Sequence, residues 1–185
     1  MIILGITGTL GAGKGTIVDY LKREKGFTHF SVRSFLLEKI REAGLPENRD
    51  SMYELANKLR AKNGPSYVID QLYLKARESG RNCIIESIRT TGEIESLREK
   101  EHFYLLAVDA DPEIRYQRIL LRHSETDAIS RETFMNNEYR EMRSTNPGEQ
   151  NLRKCIEMAD FLLTNNGTKE DLDHQVEKIL SVIQP

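Results

Sequence analysis

The sequence predicts a parallel α/β sheet flanked by helices, and three observations carry that expectation. Short apolar runs rich in β-formers recur at 2–7, 27–32, 83–88, 103–109 and 161–164. Longer stretches with helical periodicity separate them, and strands that alternate with helices pair in parallel because each crossover returns the chain to the same end of the sheet. Breakers stand where helices should begin or stop: Gly44, Gly64 and Gly80 suit chain stops, Pro65 a first helical turn, and Asp111 before Pro112 a cap.

Taken in order, the first strand runs straight into the glycine-rich segment GTLGAGKGT at 8–16, which opens the helical pattern IVDYLKR. After the second strand, 34–81 is too long for one crossover. It has room for three helices and should form an excursion over the sheet. The other three connections between strands each fit one crossover. After the fourth strand, a helix rich in arginine precedes the polar stretch HSETDAIS at 123–130, which reads as a short flap within a lid region spanning 123–143. The fifth strand leads through an Asn-Gly turn into a final helix.

At 185 residues the chain is long enough for one well-buried core and too short for two ordinary domains, so 1–185 is expected to be a single domain. Hydrophobic residues at 38% and charged residues at 30% give the balance of a water-soluble protein. A net charge of −2 with interspersed signs offers no basic face for a nucleic acid or a membrane surface. No apolar run approaches the ~20 residues of a membrane span, and MIILGITGTL lacks a basic leader and a cleavage site, so a cytoplasmic location is expected. Cys83 and Cys155 are read as reduced packing residues rather than metal ligands. Oligomeric state has no signature here.

The segment at 8–16 has the composition and the context of a P-loop, strand before and helix after. Gly8, Gly11 and Gly13 let the backbone curl so that successive N–H groups face one anion, with Gly11, Ala12, Gly13, Lys14, Gly15 and Thr16 as the cradle. Lys14 adds charge for the β and γ phosphates, and the helix N-terminus adds its positive end. The generic motif places Ser or Thr directly after the lysine to hold Mg²⁺, but here Gly15 occupies that position and Thr16 follows.

The GKGT ending resembles adenylate kinases and their relatives, and the resemblance extends over most of the chain. It implies a P-loop NTPase fold with a five-stranded sheet in the order 2-3-1-4-5, a helical acceptor-binding insertion at 34–81 and a short lid. It also implies ATP and Mg²⁺ as donor and cofactor. IIESIRT at 84–90 is similar to the segment of nucleoside monophosphate kinases where a strand ends in an acid followed by an arginine for the acceptor phosphate. That resemblance makes Glu86 the metal-orienting acid, directly or through water, and Arg89 the acceptor contact. DADPEIRYQRILLR at 109–122 resembles the element bearing two arginines before the lid, which implies Arg118 on the adenine and Arg122 on the transferring phosphate. Their spacing of four puts both on one helix face, a face shared by Arg115. ADFLLTNNGTKEDL at 159–172 resembles the last strand and turn, where Asn166 and Gly167 would edge the adenine. Arg131, Arg140 and Arg143 stand where relatives keep lid arginines, with Arg131 and Arg140 the better matches in position.

On the acceptor side SVRSFLLEKIREAG supplies Ser31, but Leu37 stands where relatives place an arginine. Arg33, Arg41 or Arg60 would substitute. The resemblance implies transfer of the γ-phosphate of ATP to a small, nucleotide-like phosphorylated acceptor, with dephospho-coenzyme A kinase as the nearest rival. A nucleotide-dependent regulatory module and a kinase for a polynucleotide 5′ end are alternatives from other classes, but the sequence has neither switch motifs nor a basic stripe.

Overall fold

The computed structural model describes residues 1–100, 102–121, 130–143, 146 and 149–183. In chain order the elements are β1 (Ile3–Gly8), α1 (Lys14–Lys25), β2 (Thr28–Ser31), α2 (Val32–Glu42), α3 (Arg49–Asn63), α4 (Tyr67–Ser79), β3 (Cys83–Glu86), α5 (Thr91–Arg98), β4 (Phe103–Asp109), α6 (Pro112–Leu121), α7 (Arg131–Met142), α8 (Leu152–Glu157), β5 (Phe161–Thr164) and α9 (Lys169–Ile183). The five strands form one parallel sheet in the order β2-β3-β1-β4-β5, the expected P-loop order.

The sheet buries both faces, and the period-2 alternation of its strands assigns each side chain to one of them. Ile3, Ile85 and Leu105 point to one side, where Val32, Leu36, Ile69, Leu72, Ile94 and Cys155 from helices α2, α4, α5 and α8 cover them. Leu4, Ile84, Leu106 and Leu163 point to the other, under Ile17 and Leu21 of α1 and Leu172, Val176 and Leu180 of α9. Both cysteines are buried and free. Burial pushes the Cys83 thiol up to about 11, so it packs as a small apolar group.

Local chemistry shifts several boundaries. The second strand stops at Ser31 because the Ser31 hydroxyl accepts the backbone N–H of Ser34 at 3.2 Å, capping α2 and taking Val32 into the helix. The third strand stops at Glu86 because Ser87 turns out of it with φ 75°. Ser66 is the N-cap of α4, so Pro65 lies just before the helix rather than in its first turn. The excursion at 34–81 contains α2, α3 and α4, as its length requires. The connection from β4 to β5, expected to fit one crossover, contains α6, α7 and α8 among its described residues, with Ser130 capping α7 and Asn151 capping α8. Among the described residues no helix is long and apolar enough to cross a membrane.

Register explains where a site can form. Parallel pairing sets Ile6 opposite Glu86 and Gly8 opposite Val108, so the end of β1, the acid of β3 and the end of β4 meet at the carboxyl edge of the sheet. The crevice between diverging connections at that edge is where open α/β sheets bind ligands.

Candidate active site

The loop between β1 and α1 is held from three sides. Gly8 has φ 140°, and a Cβ there would stand 2.1 Å from the carbonyl oxygen of Val108. Only glycine permits β1 to turn so close to β4. The Thr9 hydroxyl donates to Asp109 Oδ1 at 2.6 Å, which fastens the loop to the end of β4. Arg115, buried in α6, donates from Nε to the carbonyl of Ala110 at 2.8 Å and from Nη1 to that of Leu10 at 3.3 Å, and its guanidinium pairs with Glu138 of α7. Arg115 is therefore a structural tie between loop, α6 and α7, although its spacing sets it beside Arg118 on one helical face.

Lys14 folds back over this loop, its Nζ donating to the carbonyls of Gly8 and Thr9 at 2.9 Å each. Burial, with the neighbouring Arg89 guanidinium adding repulsion, pulls its pKa from the ordinary 10.5 down to about 7, against the opposing pull of Glu86. Burial pushes Glu86 upward. The attraction of His29 and Lys14 and the hydrogen bond from Ser87 Oγ at 2.9 Å more than offset it and hold the carboxyl at about 2. His29 Nε2 itself lies 3.6 Å from Glu86 Oε2. Glu86 is thus a charged, hard oxygen donor. It lines the same cavity as Thr16, and the pair fits a Mg²⁺ ion in donor chemistry.

Two cavities flank the loop. The smaller, about 370 Å³, lies over Gly13 and Thr16 and is walled by Arg118, Leu121, Asn165, Gly167 and Lys169. Arg118 donates from Nη1 to the Asn165 carbonyl at 2.9 Å, and the Asn165 side chain donates to the carbonyl of Ala12 at 2.8 Å. Of the expected turn contacts, Gly167 lines this groove. The Asn166 side chain instead accepts from the backbone N–H of Asp111 at 2.8 Å, tying the turn to the segment before α6 and leaving Asn165 as the residue bridging turn and loop. Arg122 lies outside the described residues, as does the flap at 123–129.

The larger cavity, about 490 Å³, opens between the loop, the end of β3 and the excursion. Lys14, Glu86 and Arg89 face it from the sheet edge, and Arg33 and Arg60 from the excursion. Arg60 is buried and committed through Nε and Nη2 to Glu93 Oε1 at 3.1 and 2.6 Å, while its Nη1 has no hydrogen-bond partner among the described residues. Glu93 also takes the backbone N–H of Arg89 at 2.9 Å, so this pair sets the backbone that carries Arg89.

Ser31 and Arg41 are absent from the wall, and local structure explains both. Ser31 is spent as the cap of α2. Arg41, on the solvent side of the same helix, pairs through Nε and Nη2 with Glu47 at 2.8 Å each. Arg131 is 71% exposed and pairs with Glu113 at 3.0 Å, outside both cavities. Arg140 donates to Asp50 at 2.9 Å and lies 4.6 Å over the Tyr53 ring, and Arg143 lies 5.9 Å from the Tyr139 ring.

Among the wall residues that went unread in the sequence are Arg49, Glu141 and Gln150. Glu141, buried at the end of α7, pairs with Arg49 and Arg89 at once, and Gln150 Oε1 accepts from Arg89 at 3.4 Å. Glu141 sits in the mixed-charge run NEYREM, which has the pattern of a solvated helix face. No local signal distinguishes it.

Similarity to known proteins agrees with this architecture. The chain is 26% identical over 189 residues to a UPF0200 protein of Thermococcus kodakarensis, covering 99% of this chain and 98% of that one. The crystal structure of TT1252 from Thermus thermophilus superposes with a TM-score of 0.63 at 23% identity, covering 100% and 98% of the two chains. Shikimate kinase from Aquifex aeolicus superposes at 0.53 with 14% identity, covering 98% and 97%. These likenesses establish a P-loop kinase-like fold. The model of the AAA domain family matches residues 4–144, well over half the sequence, and the chain belongs to that family.

Proposed function

We propose that this chain is an ATP-dependent phosphotransferase that moves the γ-phosphate of ATP onto a small phosphorylated acceptor, with a nucleoside monophosphate as the reference case. The observation that carries the reading is the larger cavity, which places Lys14 and the charged Glu86 on one wall and Arg33, Arg49, Arg60 and Arg89 around it. Phosphoryl transfer demands alignment and charge neutralisation more than a strong base, and that is what these groups supply.

In this reading the triphosphate lies along the loop from Gly11 to Thr16, and Arg118 and the Asn165–Gly167 turn bound the base in the smaller groove. Lys14 exchanges its two carbonyl partners for β- and γ-phosphate oxygens. Thr16 and Glu86 would hold Mg²⁺, which when bound neutralises phosphate charge. Arg89, with Arg33 and Arg49, orients the acceptor. An acceptor oxygen then attacks the γ-phosphorus in line, the bond to the bridging oxygen breaks, and ADP leaves. The soluble character of the composition supports a cytoplasmic enzyme.

The resemblance of GKGT, IIESIRT and the final Asn-Gly turn to nucleoside monophosphate kinases supports a nucleotide acceptor, and dephospho-coenzyme A, which offers a ribose hydroxyl and a pyrophosphate diester, is the alternative. The test is ADP formation from ATP and Mg²⁺ across a panel of ribo- and deoxynucleoside monophosphates, dephospho-coenzyme A and shikimate. One acceptor should raise the rate at least ~100-fold above the water background, the scale of a positioned reaction. Unaltered background hydrolysis with every acceptor would instead favour a regulatory ATP-binding module.

A further inference from the structure

Two consecutive residues of α7 clasp two consecutive residues at the start of α3 with their charges reversed. Arg140 pairs with Asp50 at 2.9 Å and covers Tyr53, while Glu141 turns inward to Arg49. Glu141 is 4% exposed and lines the acceptor cavity. Its Oε1 accepts from Nε and Nη2 of Arg49 at 3.1 and 2.5 Å, and its Oε2 accepts from Nη1 of Arg89. Two guanidinium groups thus converge on one two-oxygen anion, which is the donor arrangement that recognises a phosphate or carboxylate ligand.

We propose that Glu141 is an internal stand-in for the anionic group of the acceptor, held on Arg49 and Arg89 until an incoming phosphate monoester displaces it. The inference rests on the reading of Arg89 as an acceptor contact. A phosphate monoester carries nearly twice the charge of a carboxylate and three acceptor oxygens in place of two, so it competes well for the same N–H groups. Burial raises the Glu141 carboxyl, but Arg89 and Arg49 outweigh it and hold it below the usual carboxylate range, so the competition is between two anions. Displacement opens the Glu141 half of the clasp between α7 and α3 only when the acceptor bears an anion, so acceptor charge and the position of Glu141 are linked. A neutral acceptor leaves the clasp closed.

The test compares the wild type with Glu141→Gln after the P-loop has been filled with a non-hydrolysable ATP analogue and Mg²⁺. Inorganic phosphate is then titrated and its affinity read from the rise in thermal midpoint. Glu141→Gln should bind phosphate at least ~10-fold more tightly than the wild type, because the competitor is gone and two arginines need an anion. Adding Arg89→Gln to that variant should abolish the gain. Phosphate affinity equal to or below wild type in Glu141→Gln overturns the proposal, and so does a gain that survives Arg89→Gln. Should Glu141→Gln not fold, Glu141→Asp keeps the charge on a shorter arm and should still bind phosphate more tightly; no gain there overturns it equally. Tighter phosphate binding without turnover on any acceptor would sink the transfer reading and leave the role of Glu141 standing.

Discussion

Asn165, at the exit of β5, donates its side-chain N–H to the carbonyl of Ala12 in the P-loop at 2.8 Å, across 153 residues of sequence. The same residue's carbonyl receives Arg118. One buried amide therefore joins the loop that would hold phosphates to the turn and helix that would hold the base.

That bond makes Gly13 and Gly15 opposite cases. A Cβ on Gly13 would lie 2.2 Å from Asn165 Nδ2 in a backbone with φ 106°, whereas one on Gly15 meets nothing within 4 Å. Gly13→Ala should cost at least ~1–3 kcal/mol and weaken ATP binding, as strain at a left-handed position demands. Gly15→Ala should stabilise by ~0.5–1 kcal/mol, since alanine loses less entropy in a helix. Urea titrations of both variants decide the matter. Equal stabilities would mean that the loop does not hold this backbone.

Lys14→Ala should leave a folded protein, because among the described residues the ammonium bonds only to two backbone carbonyls and pairs with no carboxylate by direct contact. Transfer should fall at least ~100-fold, the scale for removing one preorganised charge from a transferring group. Circular dichroism and coupled ADP detection give the two readouts, and wild-type turnover in the variant would refute the assigned role.

The pH dependence follows from Lys14. Its folded pKa of about 7 lies below the ordinary 10.5, so between those values the unfolded chain binds more protons and stability rises with pH; below 7 the full penalty of a buried charge is present. Phosphates on Lys14 raise its pKa again, so ATP binding takes up a proton above pH 7 and weakens as pH rises further. Calorimetry at pH 8 in two buffers of different ionisation enthalpy should show that uptake. Binding heats independent of buffer would contradict it.

Arg60→Ala should be destabilising by roughly 3–5 kcal/mol, because Glu93 would be left charged and buried without its partner. Arg60 and Glu93 side chains are 2% and 0% exposed. Arg41→Ala, which breaks only an exposed pair with Glu47, should leave stability and acceptor KM close to wild type. Chemical denaturation of the two variants separates a structural arginine from a surface one. A stable Arg60→Ala protein with raised acceptor KM would shift Arg60 to substrate binding alone.

The legible part of this protein is the part written in contiguous residues. The five strands follow from β-rich runs, the loop from GTLGAGKGT, and the strand-end acid and arginine from IIESIRT. Positions such as Arg41 and Arg60 look alike in sequence, since each is an arginine on a helix of the excursion. One ends on solvent with Glu47 and the other beneath α5 with Glu93.

Sequence alone therefore determined the sheet, the phosphate loop and the edge at which they meet, because hydrophobic period and backbone freedom are local properties. Tertiary structure decided what fills that edge. Glu141 stands 52 residues from Arg89 and 92 from Arg49, and only the tertiary approach of the end of α7 to the start of α3 and to the segment after β3 brings the three charges together. Electrostatic partnership depends on distance in space, which no spacing along the chain encodes. The P-loop glycines were readable for that reason, and the carboxylate on Arg49 and Arg89 was not.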